Sequence, residues 1–249
     1  MGLKESGLRG SLRNVSVGID AIPDSVVEHA VAWFDATQHD TLLSSGSIVG
    51  DGGTIDEWQD ARDESDNHVT GGAPTRQDDV QNGNTVVRGD GTDDFLSRGS
   101  GDFPTMSQPW TVIAVVTSVN NLSEEPRPIS RADDGDANVQ LRINQGDDEG
   151  WGVFAGDALD SNDDTVPAIV TIIGDGSSSS VRVNGSEVAS GNAGTNNWES
   201  LGVFGRDGGS NLLDGDIGEV IPFNVDLAAE NALSDEEQRL SDKWGIPLS

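Results

Sequence analysis

Short apolar stretches divided by Gly-, Asp- and Asn-rich turns recur from Ala30 to Asn224. The segment WTVIAVVTSV at 110–119 is apolar and β-branched at odd and even positions alike, which predicts a central strand covered on both faces. NVQLRIN at 138–144 sets Val139, Leu141 and Ile143 against Asn138, Gln140 and Arg142, which predicts a strand buried on one face. Further strands are expected within AVAWFDA (30–36), TVVRGDGTDDFLS (85–97), WGVFAG (151–156), PAIVTIIGDG (167–176), VRVNGSEVASG (181–191), SLGVFGR (200–206) and GDIGEVIPFN (215–224). Asn184-Gly185 is a two-residue turn that favours positive φ and closes a hairpin. The stretch 38–53 reads as a loop or weak hairpin, and 54–68 as a strand end followed by a solvated loop. Strands and turns recurring every ~8–15 residues indicate an all-β sandwich or barrel.

The period changes at both ends. Near the C-terminus, SDEEQRLSDKW places Leu233, Leu240 and Trp244 on one helical face, with Gly245 and Pro247 as stop signals. Ser234 and Glu237 have the spacing of a capping box. Residues 1–27 carry Lys4, Arg9 and Arg13, with Leu3, Leu8 and Leu12 among small polar residues. That segment reads as an anchoring arm, and residues 28–249 as one sandwich with its helix.

Composition narrows the setting. The net charge is -30, the basic residues are nearly all Arg, and there is no Cys. Such a chain repels itself in dilute buffer, whereas molar salt shortens the screening length to roughly 3 Å. The acids are spread along the whole chain, as in a haloarchaeal proteome. No basic stripe exists to neutralise phosphates, which argues against nucleic acid. No apolar run of about 18 residues is present, so no membrane insertion by a helix is expected. The N-terminus shows no continuous apolar core of a secretory signal.

The order of VAWFDA, EWQDARDESDN, PTRQ, NTVVRGDGTDDFL and WTVIAVV, then VRVNG, LGVFGR, DGDIGEVIPFN and KWGIP, resembles concanavalin A-like, laminin-G-like modules of phage and bacterial surface proteins. The resemblance covers about residues 29–247. It implies an antiparallel jelly-roll of two sheets, often with one Ca2+ at the sandwich rim. Two departures stand out: Arg88 replaces a frequent aromatic, and the chain has no Tyr.

Candidate chemistry is sparse. Asp214, Asp216 and Glu219 resemble the carboxylate strand of laminarinase-type glycosidases, which hold two carboxylates about 5–5.5 Å apart. In a regular strand Asp214 and Asp216 share a face and Glu219 points away. The competing reading is a structural strand with Glu219 bonded to backbone or to an Arg. His29, His39 and His68 lack the partners of a hydrolase triad; His39 and His68 are expected to be solvated. Acidic turns at Asp133, Asp134 and Asp136, at Asp160, Asp163 and Asp164, and at Asp90, Asp93 and Asp94 suit Ca2+ or Mg2+; the first is favoured. Trp58 and Trp198 border loops and are the candidates for stacking on a sugar ring.

These readings combine into an expectation of a non-catalytic virion structural protein of a haloarchaeal tailed virus, on the capsid surface, a turret or the tail. Its arm, through Leu3, Lys4, Leu8, Arg9, Leu12 and Arg13, would hold other virion proteins. The body would form a homo-oligomer at the particle surface in high salt and bind host glycan. The alternatives are a cellular or secreted carbohydrate-binding adhesion module and a glycoside hydrolase using Asp214, Asp216 and Glu219.

Overall fold

Strands follow one another through the computed structural model, which describes residues 28–62, 68–122, 125–132, 138–143, 150–205 and 211–249. The first are β1 (Phe34–Asp35), β2 (Leu42–Ser44), β3 (Ser47–Ile48), β4 (Glu57–Trp58), β5 (Val69–Thr70) and β6 (Thr75–Gln81). Next come β7 (Asn84–Asp90), β8 (Leu96–Arg98), β9 (Trp110–Val119), β10 (Ile129–Ser130), β11 (Gln140–Ile143) and β12 (Trp151–Phe154). The series closes with β13 (Ala158–Asp160), β14 (Ala168–Gly174), β15 (Ser179–Val183), β16 (Ser186–Gly191), β17 (Leu201–Val203) and β18 (Asp214–Phe223), then helix α1 (Leu233–Trp244). The expected arm, residues 1–27, lies outside the described residues.

The strands form two antiparallel sheets. One runs β16-β15-β14-β9-β18-β7-β6, with β1 also on β18; the other runs β13-β12-β11-β10-β17-β8-β5-β4-β2-β3. The expected all-β sandwich with a short C-terminal helix is therefore the observed fold. Backbone bonds tie the two sheets together at both flanks. Edge strand β6 is met by Gly52 N–H to Arg76 O at 2.8 Å and by Arg76 N–H to Gly53 O at 3.0 Å. On the other flank Ala155 N–H reaches Ala193 O at 2.8 Å.

The two-sided apolarity of β9 has a direct cause. Val112, Ala114 and Val116 face the second sheet, whereas Ile113 and Val115 join an outer cluster with Leu233, Leu240 and Trp244 of α1. In β14 the same split sends Val170 and Ile172 inward and Ile169 and Ile173 outward. The first sheet is thus covered by a sheet on one face and by the helix on the other.

Two expectations need correction. Ser234 does not cap α1: Ala232 occupies the N-cap position and no side chain bonds there. Glu237 is taken instead by Arg182, with Nε to Oε1 and Nη2 to Oε2 both at 2.9 Å. A charged pair nearly out of water outcompetes a local capping bond. Trp58 and Trp198 are not sugar platforms either, because both are fully buried. Trp58 meets Phe34 edge-on at 5.9 Å and Trp198 meets Trp110 edge-on at 5.2 Å. The bordering loops fold over these rings, which sequence position alone does not show.

Replacing Trp198 by Ala is expected to cost about 3–5 kcal/mol of stability, as removal of a large buried aromatic does. Urea unfolding of the variant beside the parent, both in molar salt, measures this.

Candidate functional site

The β7–β8 turn builds an acidic recess at one end of the sandwich. A cavity of about 390 Å³ is lined by Ala73, Thr75, Arg88, Gly89, Asp90, Asp93, Asp94 and Asp214. Gly91 turns the chain there at φ +72°, and a Cβ on it would sit 2.8 Å from Asp214 Cβ. Asp94 is buried, and its two oxygens accept Ala73 N–H at 3.1 Å and Asp90 N–H at 3.0 Å. Burial, and then the neighbouring Asp90 charge, pushes the Asp94 carboxyl above its ordinary value. Oxygens of Asp90, Asp93 and Asp94 lie within 4.8 Å of one another.

Arg88 forms the other wall. Its Nε and Nη2 donate to the two oxygens of buried Asp216 at 2.6 and 2.7 Å, a bidentate pair. The Arg88 side chain remains 44% exposed and lines the recess. Asp214 sits on the same rim and accepts Asn120 Nδ2 at 3.0 Å.

A second recess of about 310 Å³ lies near the helix C-terminus, lined by Thr37, His39, Asp78, Asp79, Gly83, Asn84 and Thr85. Arg76 Nη2 contacts His39 Nδ1 at 2.8 Å. Guanidinium only donates, so Nδ1 is the acceptor and the ring proton lies on Nε2. Nε2 then donates to Thr85 Oγ1 at 2.8 Å, whose hydroxyl donates to Asp78 Oδ1 at 2.8 Å. Burial and the Arg76 charge lower the His39 pKa, consistent with a neutral ring. His39 is solvent-exposed, as expected, yet both of its ring nitrogens are engaged. Its pairing partner Arg76 sits 37 residues away on β6, a polar strand that the apolar pattern passes over.

Between α1 and the first sheet lies a buried ion set. Glu219 accepts Trp33 Nε1 at 2.6 Å, Lys243 Nζ at 2.8 Å, Trp244 Nε1 at 3.1 Å and Arg239 Nη2 at 2.5 Å. Burial alone raises its pKa, but the Lys243 and Arg239 charges outweigh it and hold the carboxyl at about 2. A β-bulge explains its direction. Ile217 pairs with Val116 and Glu219 with Val115, so Gly218 is the extra residue. Gly218 and Glu219 consequently both face α1; a Cβ at Gly218 would lie 2.4 Å from the Trp244 ring.

The candidate glycosidase set is therefore not assembled. Glu219 is sealed under the helix, Asp216 is clamped by Arg88, and Asp214 alone lines a recess. Asp133, Asp134 and Asp136 lie outside the described residues, as do Leu3, Lys4, Leu8, Arg9, Leu12 and Arg13. Asp160 is paired to Arg142 at 2.7 Å, and Asp163 accepts Thr165 N–H at 2.9 Å. Among the described residues no helix is long and apolar enough to cross a membrane.

No model of a known family matches the sequence, and no curated protein does. Solved structures do share the fold. Trypanosoma rangeli sialidase in complex with sialic acid is similar at a TM-score of 0.57 and 16% identity, over 85% of this chain and 33% of that one. The binding domain of Paraclostridial Mosquitocidal Protein 1 is similar at 0.53 and 11%, over 84% of this chain and 52% of that one. A GH54 α-L-arabinofuranosidase is similar at 0.52 and 11%, over 86% and 60%. This chain thus spans a third of the sialidase chain and 60% or less of the other two. The expectation of a protein set apart from enzymes is corrected by these likenesses: its structural neighbours are mainly chains of glycosidases. At this identity they establish the sandwich fold.

Glu219→Gln is expected to cost about 3–5 kcal/mol, because it leaves buried cations short of their counter-charge. Its folded pKa, about 2, lies below the ordinary 4.5. The stabilisation of about 3 kcal/mol is present above that ordinary value and is lost as pH falls toward 2. Acid titration of the unfolding free energy should show a shallower acid limb in the variant.

Proposed function

We propose that the protein engages carbohydrate through the acidic recess at the β7–β8 turn, as a surface module of the concanavalin A-like, laminin-G-like kind. The observation that carries this reading is the mixed lining of one cavity. Arg88 offers N–H groups beside Asp90, Asp93, Asp94 and Asp214, with Thr75 adding a hydroxyl. Sugar hydroxyls both donate and accept, so they suit a wall that sets several carboxylate acceptors beside one guanidinium donor. The sandwich likeness to a sialidase and an arabinofuranosidase supports a carbohydrate setting.

The proposed location is the surface of a haloarchaeal tailed-virus particle. The dispersed acid excess and the rarity of Lys support a high-salt environment. Residues 1–27 would join the body to other virion proteins, and a homo-oligomer would raise avidity for host glycan.

Two experiments test this. A panel of soluble oligosaccharides in molar salt should yield a ligand whose affinity falls roughly tenfold in Asp93→Asn, with thermal unfolding unchanged. Equal binding by parent and variant would remove the recess from the proposal. Deleting residues 1–20 should leave the unfolding midpoint intact while the chain disappears from purified particles. Normal incorporation of the shortened chain would defeat the particle assignment.

A further inference from the structure

The ion set beneath α1 contains three carboxylates, Asp35, Glu219 and Glu236, each about 1% exposed, and two cations, Arg239 and Lys243. Full ionisation would leave one negative charge uncompensated in a sealed site. Removing a charge from water without a partner is expensive, so such a group keeps or takes a proton instead. The hydrogen bonds show which of the three does so.

Asp35 accepts from Thr37 N–H at 3.0 Å, Thr37 Oγ1 at 2.8 Å, Gln38 Nε2 at 3.4 Å and Lys243 Nζ at 2.7 Å. Glu219 accepts from two indoles, Arg239 and Lys243. Both are surrounded by donors and need to be anions. Glu236 differs. Both of its bonds come from Arg239 and fall on one oxygen, Oε1, at 3.0 and 2.6 Å. Its Oε2 is buried with no hydrogen-bond partner.

We propose that Glu236 carries a proton on Oε2 at neutral pH, making the five groups a neutral lock between α1 and the sheet that loosens when Glu236 ionises. With that proton in place, Asp35 and Glu219 balance Arg239 and Lys243. The charged groups acting on Glu236 are Arg239 and Lys243 on α1 and Glu219 on β18, and Lys243 links the set to Asp35 on β1. Trp33 stands against Arg239, with its backbone N–H on Asp60, itself paired to Arg62. Burial pushes the Glu236 carboxyl above its ordinary 4.5, against the pull of Arg239. Burial, then the Glu219 charge, also pushes Asp35 upward. Its four donors nevertheless favour the anion there, so the geometry assigns the proton to Glu236.

The direction with pH follows from linkage. Above about pH 4.5 the unfolded chain releases the Glu236 proton while the folded chain retains it, so stability falls as pH rises. Glu236→Gln keeps the neutral shape and removes that dependence. The unfolding midpoint of the parent protein should therefore drop relative to the E236Q variant steadily from about pH 4.5 toward neutral. The gap should stop widening once the folded group ionises. Parallel curves, or a gap that closes with pH, would overturn the proposal, and a widening gap in Asp35→Asn instead would move the proton to Asp35. Infrared spectra of the intact chain at neutral pH give a second readout that needs no variant. A buried protonated-carboxyl band should shift on 13C-glutamate labelling; absence of the band, or of the shift, also overturns it.

Discussion

A sheet that is apolar on both faces needs two covers, and most of this structure follows from that requirement. Strands β9, β14 and β18 present Val, Ile and Ala to the second sheet and a separate set of Ile, Val and Phe to the outside. Helix α1 supplies the second cover through Leu233, Leu240 and Trp244. Its position is then fixed by charge rather than by apolar contact alone. Glu219 binds Arg239 and Lys243, Glu237 binds Arg182, and the amides of Gln81, Asn82 and Asn84 bond the carbonyls of the last helical turn. Removing one partner of such a buried ionic set strands an uncompensated charge, so the helix holds its place only while the set is complete.

Apolar, β-branched runs made the central strands legible. The expected 110–119 strand is β9 itself, and the expected strand at 215–224 falls one residue from the bounds of β18. Strand β6, TRQDDVQ, was not legible, because it is an edge whose polar side chains build a network with His39 and face solvent. Glu219 is bonded to Arg239, as the structural reading of its strand expected, but alternation alone does not give its direction. A regular strand would send it away from Asp216 by parity, yet its burial beneath α1 depends on the extra residue Gly218. Nothing local distinguishes a bulge glycine from a turn glycine; the Trp244 ring that occupies its space is 26 residues further on.

The recess was half legible. Asp90, Asp93 and Asp94 were recognisable as an acidic turn, and Asp214 as a chemistry-bearing residue, each from its own segment. Their meeting required β7 and β18 to pair, with Asp214 opposite Asp90 and Asp216 opposite Arg88. The same pairing converts Arg88 from an apparent departure into the partner of a buried carboxylate. Trp58 and Trp198 were misplaced for the opposite reason: flanking loop residues do not report that the ring itself points inward.

The helical cover has a practical side. A chain shortened before Leu233 would retain all eighteen described strands and still bare Ile113, Val115, Ile169, Ile221 and Phe223 to solvent. Molar salt, which quiets the repulsion between acidic surfaces, would at the same time sharpen the tendency of that bare face to find another like it. Such a fragment would be more prone to self-association than the intact chain, so the helix also keeps this face from pairing with another copy.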